Sequence, residues 1–333
     1  MQHGKGPDLG ANKFFYLDKE KVKYWCLDDY AYPAITSARY VKYFSFTEED
    51  WREIRDRGAA CYIFLCHKPR SQLPKSVREY IKWGETKCRT QIRETRGGGK
   101  PCHLAQSRQE REKQKQHFHG WYDLGGVKAS PIIAIRNSQY KVRFFRNSIG
   151  AVSYDNIICL ISKNNLDDVR IKALLAFLNS TFVHLYVKSK GVISGGGIIQ
   201  LNVENAEEMP IIDIYSLDEG NLKELARLFD ELDFEARRVG GADKRDNIER
   251  LWDSVIAEID YKVAEILCLP KSLADAARML ARIMMQRRLQ RAGEARPQAI
   301  RGEEEYRISR PPKTKHIKTV REESKQTRLD EST

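Results

Sequence analysis

The stretch Ala173–Ile212, ALLAFLNSTFVHLYVKSKGVISGGGIIQLNVENAEEMPII, carries the most information about the fold of this chain. A compact apolar helix opens it and ends at Asn179-Ser180, a pair that favours local hydrogen bonds over helix continuation. Val187–Lys190 predicts a basic strand, and Gly195–Gly197 predicts a tight turn before a second short strand. Helix and strand in close succession predict a mixed α/β (α+β) fold.

The composition favours a polyanionic partner. The 333 residues include 58 Lys and Arg against 46 Asp and Glu, which gives a formal net charge of +12. Because Lys and Arg release counterions when they neutralise phosphates, such an excess is typical of nucleic-acid-binding proteins. A basic protein without such a partner has the same composition, so charge leaves both interpretations open.

The sequence also predicts where in the cell the protein is located. No apolar run approaches the roughly 18 residues that a membrane span needs, and the N-terminus has no secretory apolar segment. The seven cysteines follow no disulfide-scaffold spacing. We therefore expect reduced thiols, a cytoplasmic protein and no membrane partner.

Changes in composition divide the chain into three regions. Residues 8–215 predict an α/β domain that carries a basic insertion at 86–120, where little can be buried. Residues 216–290 have apolar residues at helical spacing and predict a helical region. Residues 291–333 are charged and poor in core residues, which predicts a disordered tail.

Several elements inside these regions follow from local patterns. Thr47 with Asp50 predicts a capped helix start, and Phe14–Leu17 predicts a short strand. Three further strands are predicted by apolar runs between turn residues: Pro131–Ile135, Lys141–Arg146 and Ile157–Ser162.

Most familiar catalytic motifs are absent from the sequence. It contains no phosphate-binding G-x-x-x-x-G-K-[ST] loop, no G-x-S-x-G turn and no H-E-x-x-H pair. Pro311-Pro312, the one Pro-Pro pair, lies between Arg310 and Lys313 in the predicted tail.

A metal site is the main chemical alternative. Cysteines and histidines surround the basic insertion, and Cys88, Cys102, His117 and His119 are a possible zinc-ligand set. No compact C-x-x-C pair supports it, so ordinary thiols and histidines remain the competing interpretation.

Six segments resemble the motifs of a known family, in the family's order. They are Gly10–Leu17 (GANKFFYL), Tyr32–Ile35 (YPAI), Tyr80–Glu85 (YIKWGE), Trp121–Leu124 (WYDL), Arg143–Asn147 (RFFRN) and Leu174–Pro210.

Together they resemble the specificity half of N6-adenine DNA methyltransferases, as in Type I modification subunits and the TaqI-like and Eco57I-like Type II enzymes. The resemblance covers roughly residues 8–270. It departs from the family at Asp8-Leu9, where a Thr normally precedes the glycine, and in the long basic stretch between Glu85 and Trp121.

The resemblance implies a target-recognition region that reads duplex DNA. In the family, the S-adenosylmethionine loop and the Asn/Asp-Pro-Pro-Tyr/Phe tetrapeptide lie upstream of the matched part, and neither occurs here. We therefore expect no cofactor and no catalytic residue on this chain. The methyltransferase core, with S-adenosylmethionine, would be on another chain or in a missing N-terminal part.

Basic and amide side chains at the ends of the matched strands are the candidate DNA contacts. Lys and Arg suit phosphates and guanine, and amides suit adenine. The candidates are Arg39, Lys42, Asn137, Gln139, Lys141, Arg143, Arg146, Asn147, Lys188 and Lys190. A solvated basic face is the competing interpretation for each of them.

Two other classes of function remain open at this stage. One is a non-catalytic remnant that acts as an interaction domain. The other is a zinc-stabilised nucleic-acid-binding protein unrelated to DNA modification.

Overall fold

A computed structural model describes residues 2–5, 9–90, 99–115, 117–127, 129–153, 157–162, 164–194 and 196–308. The strands in this part of the chain are β1 Gln2–Lys5, β2 Tyr16–Leu17, β3 Ala31–Ile35, β4 Ser45–Phe46, β5 Tyr62–Phe64, β6 Ile132–Ile135, β7 Asn137–Ser138, β8 Phe144–Asn147, β9 Val152–Ser153, β10 Ile157–Ile161, β11 Val192–Ser194 and β12 Ile198–Gln200. The α-helices are α1 Asn12–Phe15, α2 Lys19–Trp25, α3 Glu48–Asp56, α4 Lys75–Thr86, α5 Gln106–Lys113, α6 Asp168–Leu178, α7 Thr181–Lys190, α8 Val203–Glu207, α9 Glu219–Arg238, α10 Arg245–Asp253, α11 Val255–Ile266 and α12 Lys271–Ile308.

The described strands form sheets of five, four and three strands. The largest has the order β1-β10-β6-β8-β4, in which β10, β6 and β8 pair antiparallel and β4 lies parallel to β8. The four-stranded sheet is β2-β5-β3-β9, and the smallest is β11-β12-β7. Sheets and helices alternate along the chain, so the prediction of a mixed α/β fold is confirmed.

One large hydrophobic core joins the five-stranded sheet to the helices of the C-terminal half. Ile132 and Phe144 contribute from the sheet, Leu174 and Leu178 from α6, and helices α9 to α12 complete it. The region from residue 216 onward therefore shares its core with the α/β region. The division of the chain into regions 8–215 and 216–290 stays a prediction.

Asn179 connects α6 to the sheet. It ends α6 as its C-cap residue and is fully buried. Its side-chain oxygen accepts a hydrogen bond from Phe144 N (3.1 Å), and its Nδ2 donates to Phe144 O (2.9 Å) and Leu175 O (2.9 Å). The helix stop predicted at Asn179-Ser180 is confirmed, but the bonds reach a strand far away in sequence.

The next two residues start α7 and attach it to α11. Ser180 is the N-cap residue of α7. Thr181 donates from both its backbone N and its Oγ1 to the carboxylate of Asp260, at 2.6 Å in each case. Trp252 Nε1 donates to Thr181 Oγ1 at 2.9 Å. Since all these groups are buried, the bonds fix the direction in which α7 runs from the end of α6.

Val187–Lys190, predicted as a basic strand, is the last turn of α7 instead. The residues of α7 that are buried include Val183, His184, Val187 and Lys188. They recur at intervals of three and four, so a helix places them on one face. The strand prediction was wrong because it considered the four residues without the preceding apolar positions.

A second core surrounds the N-terminal motif. Phe14 is fully buried, stacks on Tyr80 with ring centroids 4.7 Å apart and lies 4.6 Å from the Trp121 ring. The predicted strand Phe14–Leu17 is a helical turn, α1, followed by the two residues of β2. The turn allows the consecutive rings of Phe14 and Phe15 to enter the same core, which alternation along a strand would prevent.

The structure also describes other elements of the chain for which the sequence made a prediction. Thr47 and Asp50 form the expected capping box of α3. The basic insertion contains α5, whose Arg108 is fully buried over the ring of Phe15, so part of the insertion is packed. Helix α12 continues through Ile308, beyond the predicted start of the tail at 291, and residues 309–333 lie outside the described part. No helix among the described residues combines the length and apolarity that crossing a lipid bilayer requires.

Replacing Asn179 by alanine tests its role in the fold. The substitution leaves the buried N–H and C=O of Phe144 without side-chain partners. We expect the free energy of unfolding to fall by about 2–5 kcal/mol, measured by urea denaturation. Asn164→Ala, at an exposed position before α6, is the control and should change it by less than about 0.5 kcal/mol. Equal losses in the two variants would contradict the assignment.

Candidate nucleic-acid interface

A cleft of about 460 Å³ lies where the loop after β3 faces the β6–β8 connection. Six of the ten predicted DNA-contacting residues line it: Arg39, Lys42, Asn137, Gln139, Lys141 and Arg143. The first two are far from the other four in sequence. The fold therefore brings together predicted contact residues from two distant segments of the sequence.

Hydrogen bonds to backbone groups hold both walls of the cleft in place. Arg143 Nη1 donates to Lys42 O at 3.0 Å, and Ala242 N donates to the same oxygen at 2.8 Å. On the opposite wall, Asn137 in β7 pairs with Gln200 of β12. These contacts place the loop residues on a rigid support, which is the usual arrangement of a binding surface.

The cleft has an exposed rim and a buried floor. Arg39, Asn137 and Gln139 are exposed, whereas Lys141 and Arg143 are buried. Burial lowers the pKa of Lys141 to about 7 and that of Arg143 to about 10. The floor therefore carries two basic groups whose charged forms are destabilised by burial.

A cluster of basic side chains lies behind the cleft. Arg288 of α12 donates to Gln139 O at 2.6 Å, and the residue is 3% exposed. His184 and Lys188 of α7 are also buried, and neither Lys188 Nζ nor the ring nitrogens of His184 has a hydrogen-bond partner among the described residues. Burial, together with Lys141, Lys188 and Arg288, lowers the pKa of His184 well below its usual value.

Asp260 is the buried carboxylate beside this cluster, and it has several partners of its own. It accepts from Thr181 and lies 3.3 Å from Arg278 Nη1. Among the described residues, positive charge therefore exceeds negative charge behind the cleft. Uncompensated buried charge destabilises a fold, so this excess favours an anionic partner.

The other four predicted residues do not line the cleft. The Asn147 amide is buried and donates to Ser130 O and Ala151 O, so it stabilises a turn. Arg146 pairs with Asp168. Lys188 belongs to the buried cluster, and Lys190 is exposed at the end of α7.

The zinc set proposed from the sequence is not assembled. Cys88 and Cys102 are joined to each other in a disulfide, with their Cα atoms 5.6 Å apart. Next to the disulfide, Thr90 N donates to Lys100 O at 2.8 Å. The expectation of reduced thiols was therefore wrong for these two cysteines. Disulfide sulfurs are not the thiolates that zinc binds.

Two further motifs have structural roles. Gly196 and Gly197, with φ of +77° and +72°, form the turn predicted between β11 and β12, and Gly195 of the predicted run lies outside the described residues. A Cβ on Gly197 would lie 3.1 Å from Ala292 Cβ of α12, so the turn packs closely on that helix. Trp121 and Tyr122 are buried and belong to the core around Phe14.

Local sequence patterns did not identify His184 and Arg288 as part of the site. His184 precedes Lys188 by one helical turn, a spacing that predicts a shared face once α7 is recognised as a helix. Arg288 is 149 residues from Gln139 in sequence, and no local pattern relates the two.

The pKa of Lys141 predicts a pH dependence of stability. The unfolded chain holds this proton up to about pH 10.5 and the folded chain releases it near pH 7. Stability therefore rises with pH between these values, by about 2 kcal/mol from pH 7 to pH 9. Urea denaturation at both pH values should show that Lys141→Met removes this part of the rise.

Lys42→Met, at a half-exposed lysine of the same cleft, is the matched control and should keep the wild-type dependence. Lys21 and Lys188 shift stability in the same direction and are present in every variant. An unchanged dependence in Lys141→Met would show that the buried lysine is not the titrating group.

Comparison with known proteins identifies the family of the chain. Residues 9–94 and 104–241 match the family model of the C-terminal domain of the Type II methyltransferase M.Eco57I. The Type II methyltransferase M.AccI of Acinetobacter calcoaceticus is 23% identical over 229 residues, which are 68% of this chain. The chain spans 38% of the length of that relative. The chain belongs to the family of the M.Eco57I C-terminal domain.

Proposed function

We propose that this chain is the DNA target-recognition part of an adenine-N6 DNA methyltransferase in a restriction-modification system. The cleft between the loop after β3 and the β6–β8 connection would contact the duplex. The observation that carries this proposal is the convergence of basic and amide side chains on one rigid cleft. The membership of the chain in a methyltransferase family supports it.

The rim of the cleft offers two kinds of contact. Arg39 and Lys42 provide charges for phosphate oxygens, which set the position of a protein on DNA. Asn137 and Gln139 provide amides, which can donate to and accept from an adenine edge in the major groove. Both kinds of contact are needed to read a sequence, and here they occur on facing walls.

The buried charge behind the rim would act over a longer range. Lys141, Lys188 and Arg288 lie in or behind the floor of the cleft, whereas the lowered pKa of His184 keeps that imidazole neutral. Asp243 lines the cleft and Asp260 lies behind it. Positive potential in a cleft raises the local concentration of a polyanion and its association rate. A bound duplex would also offset the free energy that these buried cations cost.

The methyl-transfer step is assigned to a part of the enzyme outside this chain. In cofactor-binding loops, a glycine run leads from a strand into a helix. The described Gly196-Gly197 turn instead connects two antiparallel strands and packs on α12, so its geometry does not fit S-adenosylmethionine. We propose that the cofactor binds to a catalytic core on another chain or in a preceding segment, and that the assembled enzyme works in the cytoplasm.

DNA binding by the purified chain tests the proposal. We expect fluorescence anisotropy with a labelled duplex to show affinity that falls steeply with salt. The double variant Arg39→Ala/Lys42→Ala should bind at least roughly tenfold more weakly, and the slope of log K against log[salt] should decrease by about 2. The physical reason is the loss of two phosphate contacts.

The double variant Lys75→Ala/Arg78→Ala is the matched control, because it removes the same charge from the exposed face of α4. It should bind DNA nearly as wild type does. An equal loss of DNA affinity in both double variants would show that surface charge in general, and not the cleft, accounts for binding. Absent or salt-insensitive binding by the wild type would favour a non-catalytic remnant that acts as an interaction domain.

A further inference from the structure

A second cluster of ligand-type side chains lies in the N-terminal half, and none of them lines the cleft. His67 follows β5, and His119 and Asp123 lie between α5 and β6. One potential ligand atom from each residue lies within 4.8 Å of the other two. The chain thus brings two imidazoles and one carboxylate together from segments more than 50 residues apart.

The distances suit a common ligand. His67 Nδ1 lies 2.8 Å from Asp123 Oδ2 and 3.0 Å from Oδ1. The imidazole rings of His67 and His119 have centroids 4.9 Å apart at an interplanar angle of 51°. Ligand atoms bound to one tetrahedral zinc ion are roughly 3.3 Å from one another, so small side-chain rotations would complete such a site.

The carboxylate is held in place before any ion binds. Asp123 is fully buried and accepts hydrogen bonds from the backbone N of His119 (2.9 Å) and of Gly125 (2.7 Å). Tyr122 OH donates to Lys68 O at 2.9 Å, which ties the turn to the segment that carries His67. Such supporting bonds orient the ligands in metal sites.

Charge and exposure also favour a cation. A fully buried carboxylate is costly unless a positive charge compensates it, and its side-chain ion-pair partner here is the imidazole of His67. Both histidines are exposed, with the His67 side chain at 52%, so the site opens to solvent. An ion could enter from that side, and water could complete its coordination.

We propose that His67, His119 and Asp123 form a binding site for a divalent transition-metal ion of the zinc type. Two imidazole nitrogens and one carboxylate oxygen suit zinc, whereas magnesium and calcium prefer all-oxygen ligand sets. The bound ion would tie the segment after β5 to the turn before β6. This site is independent of the proposed DNA cleft, and it differs from the set containing Cys88 and Cys102.

Zinc titration of the metal-free full chain tests the site. After chelation and dialysis, isothermal titration calorimetry with Zn²⁺ should show one equivalent bound. The midpoint of thermal unfolding should rise by roughly 3 °C or more with excess zinc. Binding should weaken strongly from pH 7 to pH 5, because protonated imidazoles do not coordinate metal.

His67→Ala and His119→Ala should each weaken zinc binding at least tenfold, and both positions are exposed, so the fold should tolerate the changes. His117→Ala, two residues before His119 and also exposed, is the matched control and should bind zinc as wild type does. The Arg39→Ala/Lys42→Ala variant should also keep wild-type zinc affinity, which separates this test from that of the DNA cleft. No saturable zinc binding, or an equal loss in His117→Ala, would overturn the proposal.

Discussion

The side-chain amide of Asn179 is the contact on which the rest of the arrangement depends. It bonds the N–H and C=O of Phe144 as a neighbouring strand would, while its backbone ends α6. One residue therefore fixes where α6 stops, how it lies on β8 and where Ser180 can start α7. Because the site is fully buried, any other direction of the chain would leave polar groups unpaired, and this cost specifies the geometry.

The basic cluster behind the cleft depends on this contact between α6 and the sheet. Thr181, bonded to Asp260, directs α7 so that His184 and Lys188 face Arg288 of α12. Helices that are distant in sequence thus supply the buried charge, whereas loops of the sheets supply the exposed rim. Such a division allows the rim side chains to vary without disturbing the core, as is usual for a binding surface.

The sequence predicted those features that depend on neighbouring residues. The capping box at Thr47 and Asp50 and the three strands of the large sheet follow from patterns a few residues long. Six of the ten candidate contacts line one cleft, because turns between matched strands do place side chains at a shared edge.

The features that the sequence could not predict depend on distant partners. The pairing of Asn179 with Phe144 and the contact of Arg288 with Gln139 join residues with no local pattern between them. Charge alone could not distinguish the buried Lys141 from a surface lysine, because burial is set by the whole fold.

The most direct test of the DNA-binding account is photo-cross-linking of the chain to a bromodeoxyuridine-containing duplex, followed by peptide mapping. The account predicts cross-links within residues 38–43 and 136–143, whereas cross-links confined to residues 99–127 would contradict it.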